Sequence, residues 1–140
     1  MGACYSVELK LKFKNGETDK EKAVKALQNY IRIHNGDDVN FCLEDWKKDG
    51  VTQDTFEDLL RIFFCGWSRW NMGIEQNGEW LECDNDFDAS YGWEEIMLDA
   101  FETISPFLSD GSEIYVYPDS DCHHAVIENG KCIDVQYADL

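Results

Sequence analysis

The sequence predicts an α+β fold, an antiparallel sheet with helices packed on one of its faces. Three observations carry that expectation. The chain opens on strict alternation, with Tyr5, Val7, Leu9, Leu11 and Phe13 apolar and polar residues between them. Two Asn-Gly pairs, Asn77-Gly78 and Asn129-Gly130, lie between strand-like runs, where a tight primed turn needs positive φ. Apolar stripes of helical period fill the intervals, and hairpins separated by helices leave those helices on one face of a sheet.

The first strand is expected near residues 4–13, with Lys10, Lys12 and Lys14 opposite its apolar set. Thr18 and Glu21 have the spacing of a capping box. The helix that follows carries Ala23, Val24, Leu27, Tyr30 and Ile31 on one side and stops at Asn35-Gly36. Residues 37–50 fit two readings: Val39, Phe41 and Leu43 alternate as a strand does, whereas Trp46 fits a helix. A second helix is expected over 53–64, with Phe56, Leu59, Leu60, Phe63 and Phe64 inward and Gly66 as its stop. The period then falls to two at Trp70, Met72 and Ile74, leading into the Asn77-Gly78 hairpin. Trp93, Ile96, Met97, Ala100, Phe101 and Ile104 form a further helical stripe that Pro106 interrupts. Three more strands follow, one at Ile114-Tyr115-Val116-Tyr117 and two flanking Asn129-Gly130. Residues 1–140 show no linker, repeat or low-complexity segment, so a single domain is expected. A ferredoxin-like core with extra C-terminal strands is its specific form.

Charge narrows the function. Of a formal net charge of −17, residues 1–69 contribute little, with 11 Lys/Arg against 12 Asp/Glu. Residues 70–140 hold one base, Lys131, against 17 acids. Long-range repulsion disfavours direct nucleic-acid binding and anionic membranes, and it favours a cation or a basic partner. With no apolar run long enough for a membrane span and no secretory leader, the expected location is cytoplasmic. The six cysteines have no CxxC pair and read as reduced thiols.

The densest acidic stretch is "DNDFDASYGWEE", residues 84–95. As a calcium loop it offers Asp84, Asp86, Asp88 and Glu95 at positions one, three, five and twelve. Ala89 stands where that loop needs glycine, and a strand rather than a helix leads in. As a helix start, Ser90 or Asp88 supplies the cap, with Glu94 and Glu95 at the positive end. As a binding surface, an extended 82–88 projects Glu82, Asp84, Asp86 and Asp88 from one side at intervals of about 6.7 Å. On the next helix Glu95, Asp99 and Glu102 make a second stripe. Glu75, Glu79, Glu113, Asp119 and Asp121 add to the field. The plain alternative is a soluble domain whose acidic face serves only solvation.

Other motifs are sparse. "MGACYS" fits the myristoylation pattern, without the basic patch that would support it. His123-His124 beside Cys122, with Cys132 or Cys83, suggests zinc, but adjacent strand residues face opposite ways. No nucleophile elbow, P-loop, HExxH or dinucleotide fingerprint is present, so neither enzyme chemistry nor a cofactor is expected.

The stretches "AFETISPFLSDGSEIYVYPDSD" and "AVIENGK" resemble small acidic α+β proteins of phages and bacterial mobile elements, including anti-CRISPR and other counter-defence proteins. The resemblance is one of element order and turn chemistry, and it carries no functional residues over. It implies a non-catalytic inhibitor of a basic nuclease, a CRISPR effector among them, or of another nucleic-acid-handling protein. The expected interface is the acids of residues 75–102 acting as a nucleic-acid mimic, with Trp67, Trp70, Trp80 or Trp93 as aromatic anchor. Metal binding by Asp84, Asp86, Asp88 and Glu95 is the alternative.

Overall fold

The computed structural model describes residues 3–36, 43–66, 72–118 and 121–135. Strand β1 (Ala3–Leu11) is the predicted alternating segment, with Tyr5, Val7, Leu9 and Leu11 buried and Cys4, Glu8 and Lys10 exposed. Helix α1 (Glu17–His34) follows and buries Ala23, Leu27 and Ile31. The Thr18–Glu21 capping box does not form. Gly16, at φ 57°, takes the cap position and starts the helix earlier than a Thr18 cap would. Asp19 then falls in the first turn, where its carboxylate accepts hydrogen bonds from the Asn15 backbone N–H (3.0 Å) and side-chain amide (2.9 Å).

The two-way segment is helical from Leu43: α2 spans Leu43–Lys48 and buries Trp46. Val39 and Phe41 lie outside the described residues. Helix α3 (Phe56–Phe64) begins at Thr55, whose hydroxyl accepts from the Asp58 N–H, and so starts later than expected. Strands β2 (Gly73–Asn77) and β3 (Trp80–Ala89) form the predicted hairpin, with positive φ at Gly78. Helix α4 (Trp93–Ile104) buries its stripe and passes into a 3-10 turn at Ser105–Phe107, where Pro106 sits. Strands β4 (Glu113–Pro118), β5 (His123–Glu128) and β6 (Lys131–Val135) complete the chain. Asn129 and Gly130 both take positive φ, as a type I′ turn requires.

The strands form one antiparallel sheet in the order β2-β3-β1-β4-β5-β6. Elements β1, α1, β2, β3, α4 and β4 follow a β-α-β-β-α-β succession, with α2 and α3 inserted in the first crossover and β5–β6 added at the end. Alternation buries one face of the sheet under the helices. Phe87, Leu81 and Cys83 of β3 and Ile114 and Val116 of β4 join the β1 set in one apolar cluster with α1, α3 and α4. Asn85, which enters that cluster, donates to the Phe64 carbonyl at 3.2 Å, satisfying a helix-end acceptor. Gly66, at φ 52°, lies so close to β3 that a Cβ would meet the Asp88 carbonyl and the Phe87 ring.

The calcium-loop reading of residues 84–95 is corrected by this register. Asp84 to Ala89 are extended and paired with β1 from Glu8 back to Ala3, so the segment cannot curl around an ion. Asp84, Asp86 and Asp88 diverge along a strand, and Glu95 sits on α4. Among the described residues no three His, Cys, Asp or Glu side chains converge as metal ligands.

Candidate partner-binding surface

The face of the sheet opposite the helices carries the predicted row. On β3, Asp84, Asp86 and Asp88 are exposed and Glu82 half-buried, all on one side because the intervening residues point into the core. β2 adds Glu75, in register with Glu82. Among the described residues no Lys or Arg pairs with Asp84, Asp86 or Asp88. The Ser6 hydroxyl donates to Asp86 at 2.5 Å and so fixes that carboxylate against β1.

Register brings in residues that sequence reasoning did not select. Across β1 the row faces Lys10, Glu8, Ser6 and Cys4, and beyond them β4 presents Glu113, Tyr115 and Tyr117. Each rung therefore reads acid, β1 residue, β4 residue: Glu82–Lys10–Glu113, Asp84–Glu8–Tyr115, Asp86–Ser6–Tyr117. Three adjoining cavities, of about 510, 690 and 490 Å³, run along these rungs as one trough. The Tyr115 and Tyr117 rings are parallel within 5° at 6.2 Å, and Tyr115 stacks on His124 at 4.0 Å. The Tyr117 hydroxyl points to Glu8 at 3.5 Å. Nothing local in the sequence pairs these tyrosines with the acids; their only signal was alternation within β4.

At one end of the trough the protein supplies its own cations. Lys10 Nζ lies 4.8 Å from the Trp80 ring centroid and Lys12 Nζ 5.8 Å from it, and Lys12 pairs with Glu79 at 3.2 Å. Trp80 and Glu79 thus border the row, partly engaged by lysines of β1.

The helical acids lie elsewhere. Glu95, Asp99 and Glu102 are exposed on α4, on the helix side of the sheet, and do not join the row. Asp99 accepts from the Tyr30 hydroxyl of α1 at 3.2 Å. Trp93 is corrected as an anchor: it is 1% exposed, and its indole N–H donates to the Phe63 carbonyl at 2.8 Å. Its place in the apolar stripe of α4 already put it inward. Trp67, Trp70 and Asp119 lie outside the described residues, as do Gly2 and Cys42. Asp121 lies 3.6 Å from His123 and does not line the three cavities.

The expected side-chain cap of α4 is replaced by a long-range one. Gly92 holds the cap position without a side-chain hydrogen bond, and the Tyr5 hydroxyl accepts from the Trp93 N–H at 3.3 Å. Its single proton is shared between the Ser90 carbonyl (2.8 Å) and Glu94 (2.9 Å). Burial, with the Glu94 carboxylate beside it, pushes the Tyr5 hydroxyl up to about 12. Burial pushes the Cys83 thiol up to about 12 and Cys132 to about 11, and it raises Cys122 as well, away from the thiolate. His123 and His124, adjacent on β5, sit on opposite faces of the strand, with His124 3.4 Å from Glu113.

Among the described residues, no helix is long and apolar enough to cross a membrane. Comparison with known protein families, with curated proteins and with solved structures found no match, so the trough's own chemistry carries the functional argument.

Proposed function

We propose that this is a non-catalytic acidic binding protein, an inhibitor or nucleic-acid mimic built on a ferredoxin-like core. It occupies the basic nucleic-acid-binding surface of a nuclease or another nucleic-acid-handling protein in the cytoplasm. One observation supports the reading above all: Glu82, Asp84, Asp86 and Asp88 stand on one face of a strand whose other face is buried, with no described cation neutralising the last three. Their interval of about 6.7 Å is of the order of the step between successive phosphates on a nucleic-acid strand. Holding such like charges together costs folding free energy that a surface serving solvation alone would relieve with interspersed Lys or Arg. The resemblance to phage counter-defence proteins adds a CRISPR effector to the candidate partners.

The test is affinity capture from bacterial lysate at low salt, followed by a salt gradient and by elution with duplex DNA. The parent is expected to retain a defined nucleic-acid-binding protein that either treatment releases. A variant carrying Glu82→Gln, Asp84→Asn, Asp86→Asn and Asp88→Asn is expected to retain none. Equal capture by parent and variant would sink the proposal.

A further inference from the structure

We infer that the trough along β1 accepts an extended cationic segment of the partner, with arginines at alternate positions, one seated at each of the rungs of Glu8 and Ser6. The inference rests on the proposed binding role and names the chemistry of what is bound.

The face already shows how it holds a cation. At the first rung Lys10 lies between Glu82 and Glu113 in register, with its ammonium over Trp80. The next two rungs keep a carboxylate of β3 on one wall, set Tyr115 and Tyr117 of β4 where the first rung has Glu113, and have Glu8 and Ser6 of β1 in place of lysine. Two sites thus join a carboxylate and an aromatic ring, the kinds of group beside Lys10, and among the described residues no Lys or Arg pairs with Asp84 or Asp86. They are two residues apart on one strand, about 6.7 Å, which is the repeat of same-face side chains on an extended segment lying alongside. A helical segment, whose same-face residues recur every three or four positions, does not match that repeat.

Arginine fits better than lysine. A guanidinium bonds a carboxylate through two parallel N–H groups and stacks flat on an aromatic ring, which an ammonium cannot do. Asp84 with Glu8 offers acceptors on one side of the second rung, and the parallel Tyr115 and Tyr117 rings, Tyr115 already stacked on His124, form the aromatic wall on the other. The continuity of the three cavities, which share Glu8 and Asp84 and then Ser6, Asp86 and Tyr117, leaves room for one chain along both rungs.

The probe is a set of blocked, fluorescein-labelled nonapeptides of equal charge, read by anisotropy in low and moderate salt. One alternates arginine with serine, one alternates lysine with serine, and one places the same arginines in a block. The alternating arginine peptide is expected to bind at least about tenfold more tightly than either other. Asp84→Asn with Asp86→Asn should remove its binding, and Tyr117→Leu should remove its advantage over lysine. Glu95→Gln with Asp99→Asn should change neither, and circular dichroism melting confirms that each variant is folded. Affinities that follow charge alone, or an equal loss in the α4 variant, overturn the inference. The two proposals part cleanly. Selective peptide binding without lysate capture keeps the trough and removes the nucleic-acid-handling partner. Capture that survives Asp84→Asn with Asp86→Asn removes the trough and moves the interface to another surface.

Discussion

Two acidic stripes that look alike in the sequence become different objects in the fold. The β3 row, Glu82 to Asp88, is paired with β1 throughout and with β2 as far as Asp84, is backed by the core, and faces a trough. The α4 stripe, Glu95, Asp99 and Glu102, lies on a helix on the other side of the sheet, where Asp99 is tied to Tyr30 of α1. A strand holds its carboxylates at fixed intervals through backbone ladders, whereas a helix distributes them around a cylinder whose position depends on packing. Charge density alone therefore does not define a surface. The backbone beneath the charge decides whether it can match a repeating partner.

Trp93 beneath the helix stripe gives the largest test of this difference. Trp93→Ala should cost about 3–5 kcal/mol in urea unfolding, because it empties the site under α4 and removes the indole hydrogen bond to the Phe63 carbonyl. A loss below about 1 kcal/mol would return Trp93 to the surface as a candidate anchor. Gly66 is the matching point behind the sheet row. Gly66→Ala puts a Cβ against the Asp88 carbonyl in a left-handed conformation, and about 2–4 kcal/mol of destabilisation is expected. The same variant should weaken partner capture through displacement of Asp88. If it loses stability but captures normally, recognition does not depend on the position of Asp88 in the row.

Tyr5 joins the two regions, since it projects from β1 to the start of α4. Tyr5→Phe removes the hydroxyl that receives the Trp93 N–H and should cost about 1–2 kcal/mol at neutral pH. The folded hydroxyl titrates near 12 against an ordinary 10.0, so its contribution is complete below pH 10 and declines as pH rises from 10 to about 12. Cys83, raised by burial from 9.0 to about 12, adds a decline of the same sign that begins lower. Denaturation across pH 9–12 should therefore show a falling stability that Tyr5→Phe makes shallower. An unchanged slope would mean that the tyrosine does not couple strand to helix.

Much of this fold was legible because local pattern and tertiary role agreed. Odd residues of β1 alternate and are buried, and Asn129-Gly130 adopts the two positive φ values that its composition allows. The spacing of the β3 acids followed from the same period. Errors arose where one feature served two roles. Asn85 interrupts the apolar alternation of β3, which let a loop reading compete. It faces inward because the end of α3 offers the Phe64 carbonyl. Trp93 was legible as core from its helical stripe, yet its aromatic character invited an anchor role. The aromatic wall of the trough was not legible, since only the β1–β4 register brings Tyr115 and Tyr117 opposite Asp84 and Asp86.

The smallest effect separates the stripes most sharply. Glu102→Lys and Asp86→Lys each raise the formal net charge of −17 by the same two units, so long-range steering changes alike in both. Glu102 lies in the last turn of α4, which has no basic residue, and a cation there meets the negative end of the helix. Stability should rise by about 0.3–1 kcal/mol, while partner capture stays within about threefold of the parent. Asp86→Lys should reduce capture by more than about tenfold, because it places a cation at a rung proposed to receive a cationic group of the partner. Its stability should remain within about 0.5 kcal/mol of the parent, since Asp86 is exposed and bonded only through Ser6. Equal losses of capture in the two variants would mean that net charge carries recognition and the strand repeat does not. Unequal losses leave local geometry as the cause, because the change in total charge is common to both.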